Sequence, residues 1–209
     1  MTRPSDLETE FGAIDIYLFD QLLRGRIRPS DRIFDAGCGF GRNLVYCLRN
    51  GFDVYGADAD ADAVEHVREL ARQLAPSLPI DHFRVEPLEQ LTFPEQFASV
   101  VISSAVLHFA RGTEEFDAML RGTWRTVGPG GMLFCRLAST IGFESHVRTL
   151  DASNRRFRLP DGTDRFLIDE AMLMDLTVQL GGQLLDPIKT TVVQGQRAMT
   201  TWVVRRMGQ

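Results

Sequence analysis

The sequence has few cysteines, no long hydrophobic run and no excess of positive charge. Its three cysteines, in a chain of 209 residues, are an odd number without paired spacing, so they predict neither a disulfide framework nor a metal site. No apolar run approaches the roughly 18 residues that a membrane span needs, and the first residues lack the apolar core of a signal peptide. We therefore expect a cytoplasmic protein with reduced thiols and no membrane partner.

The charge balance is mildly acidic. Lysine and arginine total 23, aspartate and glutamate total 28, and the net charge is −5. A nucleic-acid-binding protein is usually basic or carries a basic stripe, so we expect no nucleic-acid partner. The length and the 44% of apolar residues suit one globular domain over residues 1–209. These features leave the oligomeric state open.

The most informative stretch covers residues 32–43. Residues 32–36 are typical of a short buried strand, and Gly37, Gly39 and Gly41 follow in a glycine-rich turn that leads into a helix. Glycine allows a tight turn and lets a ligand lie directly against the backbone. A strand, a glycine turn and a helix N-terminus together predict a nucleotide-type pocket at the carboxyl edge of a parallel sheet.

The details of this turn discriminate between nucleotide ligands. A dinucleotide fingerprint, G-x-G-x-x-G, would have its third glycine at position 42, which is Arg42, and no Gly-Lys-Ser/Thr follows as a P-loop requires. Asp35 stands two residues before the first glycine. An acid there suits a ligand with an ammonium or sulfonium charge, such as S-adenosylmethionine, better than one with phosphates. A nicotinamide-dependent oxidoreductase is the weaker alternative.

A resemblance to a known family rests on two strings. Asp-Ala-Gly-Cys-Gly-Phe-Gly-Arg-Asn at 35–43 resembles motif I of class I S-adenosylmethionine-dependent methyltransferases. With Asn-Gly-Phe-Asp-Val-Tyr-Gly-Ala-Asp at 50–58, it is most similar to the small methyltransferases of the tellurite-resistance type. The resemblance implies a Rossmann-like, doubly wound α/β fold whose seven-stranded, mostly parallel sheet ends in an antiparallel C-terminal hairpin.

The resemblance also implies a function. The expected activity is methyl transfer from S-adenosylmethionine to a small-molecule acceptor by direct in-line displacement. The alternatives are a non-catalytic S-adenosylmethionine-binding scaffold or regulatory protein of the same fold, and a glycine turn that binds nothing. Fold and cofactor do not fix the acceptor, because one scaffold serves many substrates.

A second acid supports the cofactor. Asp58 closes the second predicted strand, close to the roughly 20 residues that a βαβ unit places between the glycine turn and the ribose-binding acid. A carboxylate there can accept hydrogen bonds from both ribose hydroxyls. A helix N-cap is the alternative role for Asp58, but Asp60 and Asp62 suit that role better.

The third predicted strand departs from the family pattern at its end. The family commonly has an Asp there that bonds the adenine amino group, and this chain has Pro87. Glu86 is the neighbouring acid that can take the role after a small backbone shift, and Leu88 is expected to pack on the adenine face. The full predicted cofactor-binding set is Asp35, Gly37, Cys38, Gly39, Gly41, Arg42, Asn43, Asp58, Ala59, Glu86, Pro87, Leu88 and Ser103.

The acceptor is expected at the end of the fourth predicted strand, residues 103–109. His108 is its one titratable side chain and is the candidate catalytic group, a general base near neutral pH, although a packing role is the alternative. Leu107 and Phe109 are predicted to face the acceptor. Tyr17 of the N-terminal helix is a further candidate, for which plain packing is the alternative. The Asn/Asp-Pro-Pro-aromatic motif of amino-methylating nucleic-acid enzymes is absent from this segment.

Two further segments are predicted to cover the site. Residues 1–28 form an N-terminal helical segment, with residues 1–10 loose and a helix over 11–25. Residues 139–168 form an insertion with a hairpin around Pro160-Asp161-Gly162, and this is the expected acceptor lid. Its arginines either hold an anionic acceptor or are solvated surface groups. They are Arg148, Arg155, Arg156, Arg158 and Arg165.

Overall fold

The computed structural model describes residues 4–208, so positions 1–3 of the predicted N-terminal segment and Gln209 lie outside the described residues. Six α-helices and eleven strands are present within that range. The helices are α1 (Pro4–Phe11), α2 (Ile16–Leu23), α3 (Val45–Arg49), α4 (Ala61–Leu74), α5 (Thr113–Arg125) and α6 (Glu170–Gln179). The strands are β1 (Arg32–Ala36), β2 (Asp53–Asp58), β3 (Phe83–Val85), β4 (Ala98–Ser104), β5 (Val127–Ala138), β6 (Arg148–Asp151), β7 (Arg156–Arg158), β8 (Asp164–Phe166), β9 (Gly182–Leu184), β10 (Lys189–Val193) and β11 (Arg197–Arg206).

The main sheet has the strand order β10-β11-β5-β4-β1-β2-β3, and the short β9 also pairs with β11. The five strands from β5 to β3 are parallel to one another. β11 is antiparallel to β5, and β10 is antiparallel to β11. This arrangement confirms the predicted mostly parallel sheet with an antiparallel C-terminal hairpin, and β9 adds one short strand that the sequence pattern did not predict.

Helices cover both faces of the sheet, as the near-continuous apolar run of the buried β4 requires. One buried cluster joins α5 and α6 to the sheet through side chains such as Phe116 and Leu173. The other joins α2, α3 and α4 through Leu18, Leu48 and Val64. Among residues 4–208, no helix combines the length and the apolar character needed to cross a membrane.

Several element ends differ from the predicted ones. Residues 4–10, expected to be loose, belong to α1, in which Phe11 stacks on Tyr46 of α3 with ring centroids 4.9 Å apart. The helix predicted over residues 11–25 is shorter, because α2 covers only Ile16–Leu23. α3 begins only at Val45, because residues 42–44 form turns that follow the glycine-rich segment. The third predicted strand, expected over residues 80–85, is a strand only from Phe83, because Ile80–His82 form a 3₁₀ turn.

The segment between β5 and α6 forms a separate small sheet of β6, β7 and β8. β7 and β8 form the predicted hairpin, with Arg158 opposite Asp164 and Phe157 opposite Arg165. Phe166 anchors the hairpin, because its ring stacks on that of Phe116 in α5 at 4.4 Å. The hairpin is therefore fixed to the main domain near the carboxyl ends of β4 and β5.

Candidate active site

The glycine-rich turn after β1 folds back onto β2. The backbone N–H groups of Gly37 and Cys38 both donate to the carbonyl oxygen of Ala57, at 2.8 and 3.0 Å. Gly37 has φ +83°, and a Cβ built there would lie 2.4 Å from Cγ2 of Val106. Only glycine fits this position, because it needs both the left-handed backbone and the missing side chain.

The carboxylate of Asp58 is fixed at the end of β2. Its Oδ2 accepts the N–H of Gly39 at 2.8 Å, and its Oδ1 accepts the N–H of Asp60 at 3.0 Å. Each oxygen keeps a further lone pair, so the group can still accept hydrogen bonds from a ligand. These hydrogen bonds fix the position of the carboxylate relative to the glycine turn.

A cleft opens between these elements, and we call it the glycine cleft. Its volume is about 210 Å³. It lies at the carboxyl ends of β1, β2 and β4, which is the edge where open parallel α/β sheets bind ligands. It is lined by Gly37, Asp58, Ala59, Pro87, Leu88, Glu89, Val106, Phe109, Glu115 and Met119.

Asp35, in β1, is buried next to the glycine turn. Neither carboxyl oxygen has a hydrogen-bond partner among the residues that the structure describes. Burial raises the pKa of Asp35 to about 8, against the opposing charge of Arg42, and the charge of Asp58 adds to the increase. A buried, unpartnered carboxyl group beside a ligand turn is suited to a cationic group on the ligand.

A second cleft lies on the other side of the end of β4, and we call it the basic cleft. It has a volume of about 290 Å³ and is walled by the segment after β4, by β5, β10 and β11, and by the hairpin of β7 and β8. Four of the lining side chains are arginines, and one is an acid. The lining residues are Arg42, Ala105, His108, Arg136, Ala138, Leu159, Asp161, Thr163, Arg165, Val193, Arg197 and Met199.

Asp15, an acid that the sequence did not single out, contacts two of the arginines that line the basic cleft. The buried carboxylate of Asp15 accepts from Nη1 of Arg136 at 2.9 Å and from Oγ of Ser104 at 3.3 Å. Nη2 of Arg42 lies 3.9 Å from Asp15 and donates to Ser104 at 3.1 Å. The local signal that could have found Asp15 is its position as the N-cap of α2, where its side chain accepts the N–H of Tyr17.

His108 lies in the wall of the basic cleft and is 6% exposed. Its Nδ1 accepts the backbone N–H of Ala138 at 3.3 Å, so the proton of the neutral ring is assigned to Nε2. Burial, together with the smaller effect of the charge of Arg165, lowers the pKa of His108 to about 4. The unprotonated nitrogen faces the backbone, so this arrangement favours His108 as a hydrogen-bond donor over its predicted role as a base.

The predicted acceptor residues lie in different places. Phe109 is exposed at the rim of the glycine cleft, and the guanidinium carbon of Arg165 lies 4.8 Å from its ring centroid. Leu107 is fully buried in the core. The hydroxyl of Tyr17 bonds Oγ1 of Thr191 at 2.6 Å, and its ring lies 5.5 Å from the guanidinium carbon of Arg136.

Two other predicted cofactor residues, Glu86 and Asn43, form hydrogen bonds within the chain. Oε2 of Glu86 accepts the N–H of Thr92 at 2.8 Å, and Glu86 is absent from the residues lining the glycine cleft. Asn43 is buried and its Oδ1 accepts the N–H of Asp15 at 3.0 Å. Cys38 and Ser103 are also buried, and the hydroxyl of Ser103 has no partner among the described residues.

Comparison with known proteins finds similarity mainly in the centre of the chain. Residues 34–135 match the methyltransferase domain family. The 23S rRNA (uracil(1939)-C(5))-methyltransferase RlmD of Thiobacillus denitrificans is 34% identical over 99 residues, which are 47% of this chain and 22% of that protein. The uncharacterized methyltransferase YodH of Bacillus subtilis is 33% identical over 120 residues, which are 57% of this chain and 46% of that protein. The chain spans less than half the length of either relative.

A solved structure shares the fold across nearly the whole chain. The structure of a 1,6-didemethyltoxoflavin-N1-methyltransferase from Burkholderia thailandensis, with bound 1,6-didemethyltoxoflavin and S-adenosylhomocysteine, has a TM-score of 0.69 and 16% identity. The likeness covers 97% of this chain and 82% of that one. That structure therefore shares the Rossmann-like fold of this chain, and the match to the methyltransferase domain family covers residues 34–135 of it.

Proposed function

We propose that the protein transfers a methyl group from S-adenosylmethionine to a small-molecule acceptor by direct in-line displacement. The observation that carries this proposal is the buried Asp35 carboxyl group, whose oxygens have no partner in the described part of the chain. It adjoins a glycine turn that is hydrogen-bonded to the Asp58 carboxylate. S-adenosylmethionine offers an ammonium group, a sulfonium group and a ribose, which match these acids.

The residues that would hold the cofactor follow from their positions. Gly39 leaves the backbone open to the methionine portion, since a Cβ there would meet nothing within 4 Å, and Gly37 lines the glycine cleft. Asp58 would accept the ribose hydroxyls. Pro87 and Leu88 supply an apolar wall for the adenine in the glycine cleft. The Glu86 carboxylate would have to leave Thr92 to reach the adenine.

S-adenosylmethionine, when bound, supplies a methyl group that its sulfonium centre already makes electrophilic. The residues of this chain therefore have to orient the two ligands and exclude water, which is a large part of catalysis for such a transfer. Ala105 lines the basic cleft and Val106 lines the glycine cleft, so adjacent residues of one chain segment separate the two spaces. We propose the basic cleft as the acceptor site, the β6–β8 segment as its lid, and His108 as the candidate catalytic contact, donating from Nε2.

We also propose that the acceptor is a small molecule and that the protein is cytoplasmic. The Burkholderia neighbour binds a small molecule, whereas the Thiobacillus relative acts on rRNA. The net charge of −5 and the small clefts support a small-molecule acceptor. Residues 35–43 and 50–58 resemble those of the tellurite-resistance type, and this resemblance also supports a small-molecule acceptor. It does not identify the acceptor. The three free, buried cysteines support a cytoplasmic location.

The test is calorimetric titration with S-adenosylmethionine and S-adenosylhomocysteine. We expect binding by the wild type and at least tenfold weaker binding by Asp58→Ala, which corresponds to roughly 1.4 kcal/mol. Asp62→Ala is the matched control, because Asp62 is an exposed acid in the first turn of α4. Absence of binding, or equal binding by Asp58→Ala, would overturn the proposal.

A second measurement separates catalysis from binding alone. A methyl-labelled cofactor is incubated with the protein and either a small-molecule extract or total RNA. Label in the small-molecule fraction supports the proposal. Label only in RNA overturns the acceptor class. Binding without transfer to either fraction favours the alternative of a non-catalytic scaffold.

A further inference from the structure

We propose that the methyl acceptor is a small organic anion, with a carboxylate or phosphate-ester group held by Arg165 and Arg197 in the basic cleft. This inference rests on the proposed methyl transfer, since only then is the occupant of this cleft an acceptor. The proposal assigns the anion-binding role to two residues, one in β8 of the hairpin and one at the start of β11.

The charge of the cleft is the first argument. Its lining contains four guanidinium groups and a single carboxylate, that of Asp161. Arg42 and Arg136 share the buried Asp15 beneath them, so those two charges are partly balanced from below. The local excess of positive charge therefore lies on the side of the hairpin and β11.

Arg165 and Arg197 are the unbalanced pair. Neither forms an ion pair with any carboxylate in residues 6–208, whose side chains the structure describes. Both line the cleft together with Asp161, and their charges help to lower the pKa of its carboxyl group, after the larger effect of its hydrogen bonds with Thr163. A single exposed carboxylate shared by two guanidinium groups leaves at least one positive charge for a ligand.

The position of Arg165 is fixed from two sides. Its Nη1 donates to the carbonyl oxygen of Asp164 at 2.9 Å, and its guanidinium group lies over the ring of Phe109. A cation over an aromatic face is held electrostatically. The planar fork of arginine also matches carboxylate and phosphate oxygens in pairs. The side chain of Arg165 is thus already held in place, so it would lose little conformational freedom on binding an anion.

A donor is buried unsatisfied in the same wall. Nε of Arg136 has no hydrogen-bond partner among the described residues, although its Nη1 is bound to Asp15. A buried donor without an acceptor is unfavourable, so an acceptor oxygen at this wall would satisfy it. The neutral ring of His108, with its proton on Nε2, adds another donor to the cleft.

The cleft is placed and sized for a methyl acceptor. Phe109 lines the glycine cleft and also supports Arg165, so an anion at Arg165 lies beside the proposed cofactor site. The volume of about 290 Å³ is at the small end of ligand pockets. A polynucleotide would need a basic stripe over a longer surface, whereas the whole chain has a net charge of −5. These features favour a small anion over RNA.

The experiment titrates matched anionic and neutral probes into protein saturated with S-adenosylhomocysteine. The pairs are phenyl phosphate with phenol and benzoate with benzamide, observed by calorimetry and by chemical shifts of the arginine side chains. We expect measurable binding of at least one anion, at least tenfold weaker binding of its neutral partner, and at least a tenfold loss of anion affinity in Arg165→Gln/Arg197→Gln. Arg165→Lys/Arg197→Lys should retain part of that affinity.

Arg148→Gln is the control, since Arg148 is an exposed arginine of the same small sheet outside the cleft. Thermal unfolding checks that each variant is folded. Equal affinity for neutral and anionic probes, no anion binding by the wild type, or no loss in the double variant would overturn the proposal. Stronger competition by a short RNA oligonucleotide than by phenyl phosphate would overturn it in favour of a polynucleotide.

The control titration with S-adenosylhomocysteine separates this proposal from the proposed function. A wild type that binds the probe anions but not S-adenosylhomocysteine contradicts methyl transfer, and the anion site then has another role. A wild type that binds S-adenosylhomocysteine but no anion contradicts only the acceptor class. Retained cofactor affinity in the arginine variants shows that the two clefts are independent.

Discussion

Nη1 of Arg136 donates a hydrogen bond of 2.9 Å to Oδ2 of Asp15, and this contact joins the interior strand β5 to the residue that caps α2. The side chain of Asp15 is fully buried, and that of Arg136 is 19% exposed. The pair therefore attaches the start of α2 to the wall of the basic cleft. Removing one partner of a buried ion pair leaves the other charge uncompensated.

We expect Asp15→Ala to lower the free energy of unfolding by about 3 kcal/mol, because it strands Arg136 and removes the cap of α2. Asp20→Ala is the control, since Asp20 pairs with the exposed Arg24 and should change the free energy by less than about 1 kcal/mol. Urea unfolding followed by circular dichroism measures both. Equal effects of the two substitutions would show that the Asp15–Arg136 contact contributes little.

The buried carboxyl group of Asp35 should make stability depend on pH. Its pKa in the folded protein is about 8, above the ordinary value of 3.8, so the folded state binds more protons than the unfolded state between these limits. The resulting stabilisation is present below pH 4 and is lost as the pH rises to 8. We expect the free energy of unfolding of the wild type to fall, relative to Asp35→Asn, by up to about 1.4 kcal/mol per pH unit. Parallel pH profiles for the two proteins would contradict this assignment.

The same group should release a proton when the cofactor product binds. At pH 7 Asp35 is protonated in the free protein, and an ammonium group beside it favours the carboxylate. We expect release of about one proton per bound S-adenosylhomocysteine. The heat of binding, measured in buffers with different ionisation enthalpies, gives this number. The dependence on the buffer should disappear in Asp35→Asn, and its persistence there would assign the proton to another group.

Gly37→Ala tests the close approach of the glycine turn to β4. The added Cβ would lie 2.4 Å from Cγ2 of Val106, and the left-handed backbone adds strain. Gly51→Ala has the same strain, with φ +71°, but open space around the Cβ. We expect Gly37→Ala to be destabilised by at least about 1 kcal/mol more than Gly51→Ala. Val106→Ala in the Gly37→Ala background should recover part of the difference, and no recovery would show that the clash is not with Val106.

His108 should remain uncharged throughout the neutral range. Its folded pKa of about 4 lies below the ordinary 6.5, chiefly because of burial. Its contribution to stability is therefore present above pH 6.5 and is lost as the pH falls toward 4. Of the four histidine ring C2–H signals in NMR spectra, we expect one to stay constant between pH 5.5 and 8 and to be missing in His108→Gln. A signal that titrates near 6.5 and is missing in that variant would contradict a buried neutral ring.

The features of the fold and site that could be predicted depend on residues that are close together in the sequence. The glycine turn, Asp58 and the strands on either side follow from one βαβ unit, in which sequence spacing fixes spatial proximity. The role of Asp15 depends on Arg136, far along the chain, and no local pattern marks that pairing. Similarly, the chemical type of Glu86 suggested an adenine contact, but its orientation depends on the competing hydrogen bond from Thr92. The hairpin was predictable from Pro160-Asp161-Gly162, whereas its position over β4 depends on the stacking of Phe166 on Phe116.

The neighbouring positions of Ala105 and Val106 have a consequence for how such a domain diversifies. One residue contributes to the wall of the basic cleft, and the next contributes to the wall of the glycine cleft. Leu159, Thr163, Val193 and Arg197 line only the first of these clefts, whereas Arg165 also contacts Phe109 of the second. A directed-evolution library confined to those four positions is therefore expected to vary the occupant of the basic cleft and to leave the glycine cleft unchanged.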